Sequence, residues 1–213
     1  MRKRLLVALS LLVVTSRVEA EPIVVDHPFL GRSNALRTFE HNGARHALRD
    51  GAGRLHVVYT DGAHVFYRSG TPAGDGSVAF AEAEQVSDDI SRILLFTHVG
   101  MPATRGAALT LRDDAEGVVV HLAWTGEERD VFYRRLDLSG GTSSWGPITD
   151  TGMDGQMPAL EVDGTGRVHV VAEHSFVEAG DTSEIRHATS LEGSGWETAV
   201  IEGADATSSW NYR

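Results

Sequence analysis

The chain has 213 residues, no cysteine, 41% hydrophobic residues and a formal net charge of −11. That length suits one folded domain, and the absence of cysteine excludes a disulfide framework and lipid attachment at a thiol. The acidity argues against nucleic acid and anionic membrane surfaces as partners.

Residues 1–20 read as a secretory signal peptide. Arg2, Lys3 and Arg4 form a basic start, Leu5 to Val14 is apolar apart from Ser10, and Val18-Glu19-Ala20 offers small residues at cleavage positions. Ten such residues are too few for a membrane anchor, and no other apolar run approaches spanning length. The chain is therefore expected to be secreted or periplasmic, without membrane insertion. Cleavage would remove four basic groups and one acid, shifting the net charge from −11 to −14 and leaving no lysine.

The remainder, 21–213, reads as one repeat domain. Three stretches align: Arg45 to Ser69, Ala107 to Arg135, and Pro158 to Ser190. Each has a short apolar strand, an Asp and Gly turn, a strand with a central histidine (His56, His121, His169), a second turn and a third strand. An aromatic follows in each, Phe80, Trp145 or Trp196, and is expected to open a fourth strand ending near Val86, Thr149 or Ile201. The turn aspartate precedes its histidine by six residues in the first copy (Asp50) and the third (Asp163). In the second the gap is eight from Asp113 or seven from Asp114. Leu55, Val57 and Tyr59 alternate with His56, Val58 and Thr60, and both sets are rather apolar, so the strand is expected to be covered on both faces. No sustained helical stripe appears outside residues 1–20. These features predict an all-β chain: a β-propeller of four-stranded antiparallel blades, with three recognisable blades at about 44–100, 106–156 and 157–206. Residues 21–43 and 207–213 would supply partial blade strands.

The run Asp-x-x-Gly-x-x-His-Val-x-Tyr/Trp, then Phe-Tyr-Arg, then a tryptophan, resembles the blades of sialidase-like (BNR-type, Asp-box) propellers over residues 44 to about 206. Ser190-Leu191-Glu192-Gly193-Ser194-Gly195-Trp196 is a shortened Asp box with Glu for Asp; Ser139 to Trp145 keeps the serine and tryptophan without the acid. The resemblance implies a propeller fold and a ligand beside the central channel. It carries no catalytic residue across: the family's Arg-Ile-Pro signature is absent, and Ser91-Arg92-Ile93-Leu94 lacks the proline. Three blades do not close a ring, and three completions are open: a longer propeller, a four-bladed ring whose last blade is shared by both ends, or closure between subunits by self-association.

The three histidines invite a metal reading, but successive blades hold them apart, so they are expected to be hydrogen-bonded packing residues; no metal or cofactor is assigned. Trp145 and Trp196 are expected to pack within their blades, and Trp124 and Tyr59 to be core. The copies differ in length at Ser87–Arg105 and Ser175–Ser183, two connections expected on the same face of a propeller. Variable loops on a regular scaffold tend to carry function, which makes Arg92, His98, Arg105, His174 and Asp181 the candidate ligand-binding residues. The expected function is a secreted binding or scaffold module for a carbohydrate or a cell-surface protein, the ligand class resting on the resemblance. The alternative is the N-terminal part of an extracellular sialidase-like glycosidase or polysaccharide lyase; a purely structural, partner-binding propeller would bind no glycan.

Overall fold

A computed structural model describes residues 45–61, 63–91, 106–141, 143–174 and 184–203. They form three antiparallel sheets taken up one after another along the chain. The first contains β1 (Ala47–Arg49), β2 (Leu55–Thr60), β3 (Val65–Pro72), β4 (Val78–Phe80) and β5 (Glu84–Gln85), in the order β1-β2-β3-β4 with β5 also on β3. The second contains β6 (Ala107–Asp114), β7 (Gly117–Thr125), β8 (Asp130–Asp137), β9 (Ser144–Trp145) and β10 (Thr149–Asp154), with β9 and β10 both on β8. The third is β11 (Gln156–Val162), β12 (Arg167–His174), β13 (Glu184–Leu191) and β14 (Ser194–Gly203) in sequence order. Among the described residues there is no α-helix. The all-β expectation holds, with four successive strand positions in every sheet.

The Asp-x-x-Gly signal has a local cause. In the β1–β2 turn Asp50 Oδ1 accepts from Arg54 N at 2.7 Å, and Gly53 N donates to Asp50 O at 2.9 Å. The β11–β12 turn repeats this, with Arg167 N to Asp163 Oδ1 and Gly166 N to Asp163 O both at 3.0 Å. Gly53 and Gly166 sit at φ 84° and 82°, a region a side chain resists, so glycine is required there.

The sheets stack face to face in sequence order. The front of the first sheet (Val58, Val65, Tyr67) packs on the back of the second (Leu109, Val120, Leu122, Trp124, Leu136). The front of the second (Ala108, Ala123, Val131, Tyr133) packs on the back of the third (Leu160, Val168, Val170, Ala172, Ala188). Strand β7 thus lies between two cores, and Val119 to Thr125 are all buried. That is why its sequence, Val-Val-His-Leu-Ala-Trp-Thr, is apolar at both parities. Both β2 and β7 fit the expected two-sided cover, and Trp124 and Tyr59 are buried as expected, at 0% and 5% exposure.

Two details differ from the sequence reading. Thr149 opens β10 rather than closing the fourth strand, because that strand position is split in the first two sheets. Arg68 Nε donates to Ala81 O at 2.7 Å and Arg134 Nε to Gly146 O at 2.9 Å, which turns those carbonyls out of the ladder. Pro147, with no N–H to contribute, reinforces the second break. At the matching place in the third sheet stands Ala188, and β14 runs on unsplit with two register shifts. The second difference concerns the tryptophans. They pack across sheets as well as within their own: Trp145 meets Tyr67 edge-on at 5.5 Å while Arg134 of its own sheet lies over its ring at 5.0 Å, and Trp196 meets Tyr133 at 5.1 Å. Trp145 Nε1 also donates to Glu84 Oε2 of the first sheet at 2.6 Å.

Trp124 is fully buried between the first two sheets, and its indole N–H donates to Ser91 O at 2.7 Å. Trp124→Ala is expected to cost about 3–5 kcal/mol of unfolding free energy, read as a lower denaturant midpoint. A midpoint unchanged within about 0.5 kcal/mol would mean that this interface does not hold the two sheets together.

Candidate functional site

The three repeat histidines stand at matching places on second strands and form a graded series. His56 is 0% exposed; its Nδ1 meets Tyr67 Oη at 2.7 Å and its Nε2 meets Asp50 Oδ2 at 3.1 Å. His121 is 3% exposed with Nδ1 at 2.7 Å from Tyr133 Oη, and its Nε2 has no hydrogen-bond partner among the described residues. The spacing explains the difference. At six residues from its histidine, a turn aspartate reaches the ring. At seven or eight it does not, and Asp113 instead accepts from Gly51 N of the first sheet. His169 keeps the six-residue aspartate, with Nε2 at 3.2 Å from Asp163 Oδ2, but its Nδ1 faces His187 Nε2 at 3.1 Å in place of a tyrosine. His56 and His121 are hydrogen-bonded packing residues, as the sequence led one to expect.

Burial governs their charge. Desolvation pushes the His121 pKa down to about 4, with Arg112 and Arg135 adding repulsion. It lowers His56 too, against the opposing pull of Asp50. Tyr67 and Tyr133 are pushed up by burial and stay neutral donors.

Where the chain passes from one sheet to the next, it meets the turn between second and third strands. Gly155, between β10 and β11, donates its N–H to Arg129 O in the β7–β8 turn at 2.9 Å, and Ser91 sits against Trp124 near the end of β7. At these places the two connection types share one end of the structure; residues 92–105 and 175–183, the rest of the two length-variable connections, lie outside the described residues. Of the five candidates, His174 lies there, at the end of β12 and 4% exposed. Arg92, His98, Arg105 and Asp181 lie outside the described residues.

Around His174 stand charged groups that the sequence reading did not select. Arg186 contacts Asp154 Oδ2 at 3.6 Å and Glu184 Oε2 at 3.0 Å. Asp130 pairs with Asp154 in the β8–β10 register. Desolvation, followed by the charges of Asp150, Asp154 and Glu128, raises the Asp130 pKa. Desolvation, then Arg186, lowers that of His174. The result is a compact alternation of carboxylates and arginine. These residues occupy short turns and strand ends, so a criterion based on loop length passed them over.

A second polar cluster lies where the first strands approach one another. Leu109 N donates to Arg45 O at 2.8 Å, Arg45 bridges to Glu161 at 2.8 Å, and Thr110 Oγ1 donates to Glu161 Oε1 at 3.2 Å. Arg45, Glu161, Ala159, Val171 and His169 line an open cleft of about 220 Å³ on the front of the third sheet. Among the described residues, no group of three metal-ligating side chains converges.

An ordinary histidine titrates near 6.5, and His121 in the fold near 4, so the unfolded chain binds the extra proton between these values. Stability from this residue is complete above pH 6.5 and drains as the pH falls toward 4. Denaturant midpoints are expected to decline across that window, and less steeply in His121→Gln. Identical slopes in both proteins would show that His121 does not carry the effect. In comparisons with known proteins, no family model matches the chain and no curated protein matches it.

Proposed function

We propose that the chain is a secreted binding module of β-propeller architecture, its three sheets being successive blades. The observation that carries this reading is the repeated contact between sheets. An aromatic on the fourth strand of one sheet lies edge-on to the third-strand tyrosine of the sheet before it, at Trp145–Tyr67 and again at Trp196–Tyr133. A stack that repeats one contact with one polarity along the chain is what a radial array requires. The link from Arg45, just before the first strand of the first sheet, to Glu161 on the first strand of the third supports an inner side to that array.

The ligand face is the end that carries His174, Asp130, Asp154, Glu184 and Arg186. Carboxylates and guanidinium groups set side by side offer acceptors and donors together. That suits ligands whose hydroxyls both donate and accept, and a carbohydrate is the class proposed. Binding rather than hydrolysis fits the geometry. Glycosidases hold two carboxylates roughly 5–9.5 Å apart around the scissile bond, whereas Asp154 and Glu184 are each engaged by Arg186. Secretion rests on the signal-peptide pattern of residues 1–20 and predicts an exported protein that begins at Glu21, as read by N-terminal sequencing.

A glycan array probed with the exported chain should return a defined set of sugars, bound without turnover. Arg186→Ala and Asp154→Asn should weaken that binding at least ten-fold with the melting temperature kept within a few degrees. An array without binders would remove carbohydrate as the ligand, and full binding by both variants would place the ligand elsewhere on the molecule.

A further inference from the structure

We infer that His169 and His187 form a two-nitrogen binding site for a divalent transition-metal ion such as Zn²⁺. The argument is independent of the ligand proposed above and starts from the repeat. In the first two sheets the second-strand histidine is closed off twice: a third-strand tyrosine caps its Nδ1 at 2.7 Å, and the next sheet buries it. In the third sheet both restraints differ. The tyrosine position holds His187, and the His169 side chain is 34% exposed beside the open cleft. A hydroxyl that could only finish a hydrogen bond is replaced by a second imidazole nitrogen.

The distances suit a metal. Two imidazole nitrogens, each about 2.0–2.1 Å from a tetrahedral zinc ion, lie about 3.3 Å apart. His169 Nδ1 and His187 Nε2 are 3.1 Å apart, their rings parallel to within 7°. Turning each ring so that its lone pair swings about 35° off the line between the two nitrogens aims both at a common tetrahedral ion. Asp163 Oδ2, at 3.2 Å from His169 Nε2, accepts the proton there and leaves Nδ1 with its lone pair toward His187. A carboxylate behind a ligating histidine is the usual support of such a site, fixing the tautomer and raising the basicity of the ligand. On binding, His187 carries its proton on Nδ1 and presents Nε2 to the ion. Water completes the coordination, because Glu161, opposite His169 in the β11–β12 register, is engaged by Arg45. Two protein ligands make an exchangeable site, not a structural zinc centre.

The repeat also supplies the control. His187→Tyr rebuilds the histidine–tyrosine pair of the other sheets and removes one ligand. Zinc titrated by calorimetry into the full chain, with imidazole nitrogens followed by NMR, should bind one ion per chain and shift the His169 and His187 resonances. His187→Tyr should weaken that binding at least ten-fold without lowering the melting temperature. His187→Gln, which keeps a hydrogen-bond donor, should do the same and serves should the tyrosine fail to fold. Wild-type chain that shows no shift of these two resonances at millimolar zinc would overturn the site, as would either folded variant that binds like wild type.

Discussion

An imidazole placed between two packed sheets is costly unless it is hydrogen-bonded, and this constraint shapes the first two sheets. Tyr67 and Tyr133 solve it from the third strand, directly beside the histidine, with a short hydrogen bond to Nδ1. The solution fixes more than one side chain. It sets the tyrosine ring at the front of its sheet, where its edge and face become the surface on which the next tryptophan rests. The polar pair inside a sheet and the aromatic contact between sheets are thus one device, and the register of β2 on β3 and of β7 on β8 has to respect both.

Much of this was legible because it is periodic. The alternating strands, the Asp-x-x-Gly turns and the histidine positions obey short-range rules, and the structure places them where the spacings indicate. Even the irregular spacing in the second copy proved physical, since one or two extra residues take Asp113 away from His121 and give it to Gly51 of the neighbouring sheet. What escaped was whatever depends on a neighbour. Nothing within Phe-Tyr-Arg announces that its arginine will break the fourth strand by claiming a carbonyl. Nothing around Trp145 or Trp196 says that each will lean on the sheet before it.

The charged end shows the same limit. Loop length directed attention to Arg92, His98, Arg105 and Asp181, and only His174 falls among the described residues. Asp130, Asp154, Glu184 and Arg186 come from two different sheets and become neighbours through the stacking of the second on the third. In an acidic chain any carboxylate pair can be imagined. Only tertiary contact singles out Asp130, whose pKa is raised by burial and by the charges of Asp150, Asp154 and Glu128.

The third sheet closes the argument, because it departs from the pattern in a coordinated way. Val65 and Val131, at matching places in the first two sheets, are 0% exposed, whereas Ile185 is 37% exposed. Tyrosine is replaced by His187 on that same front face. A buried site tolerates a tyrosine whose hydroxyl has one fixed partner and whose pKa burial raises further from neutrality. A face in contact with water has no such requirement, and an imidazole there stays hydrated and free to exchange its proton or bind an ion. Desolvation and then His169 lower the pKa of His187. The same repeat position is therefore a packing element where the next sheet covers it and a chemically available one where the face is open.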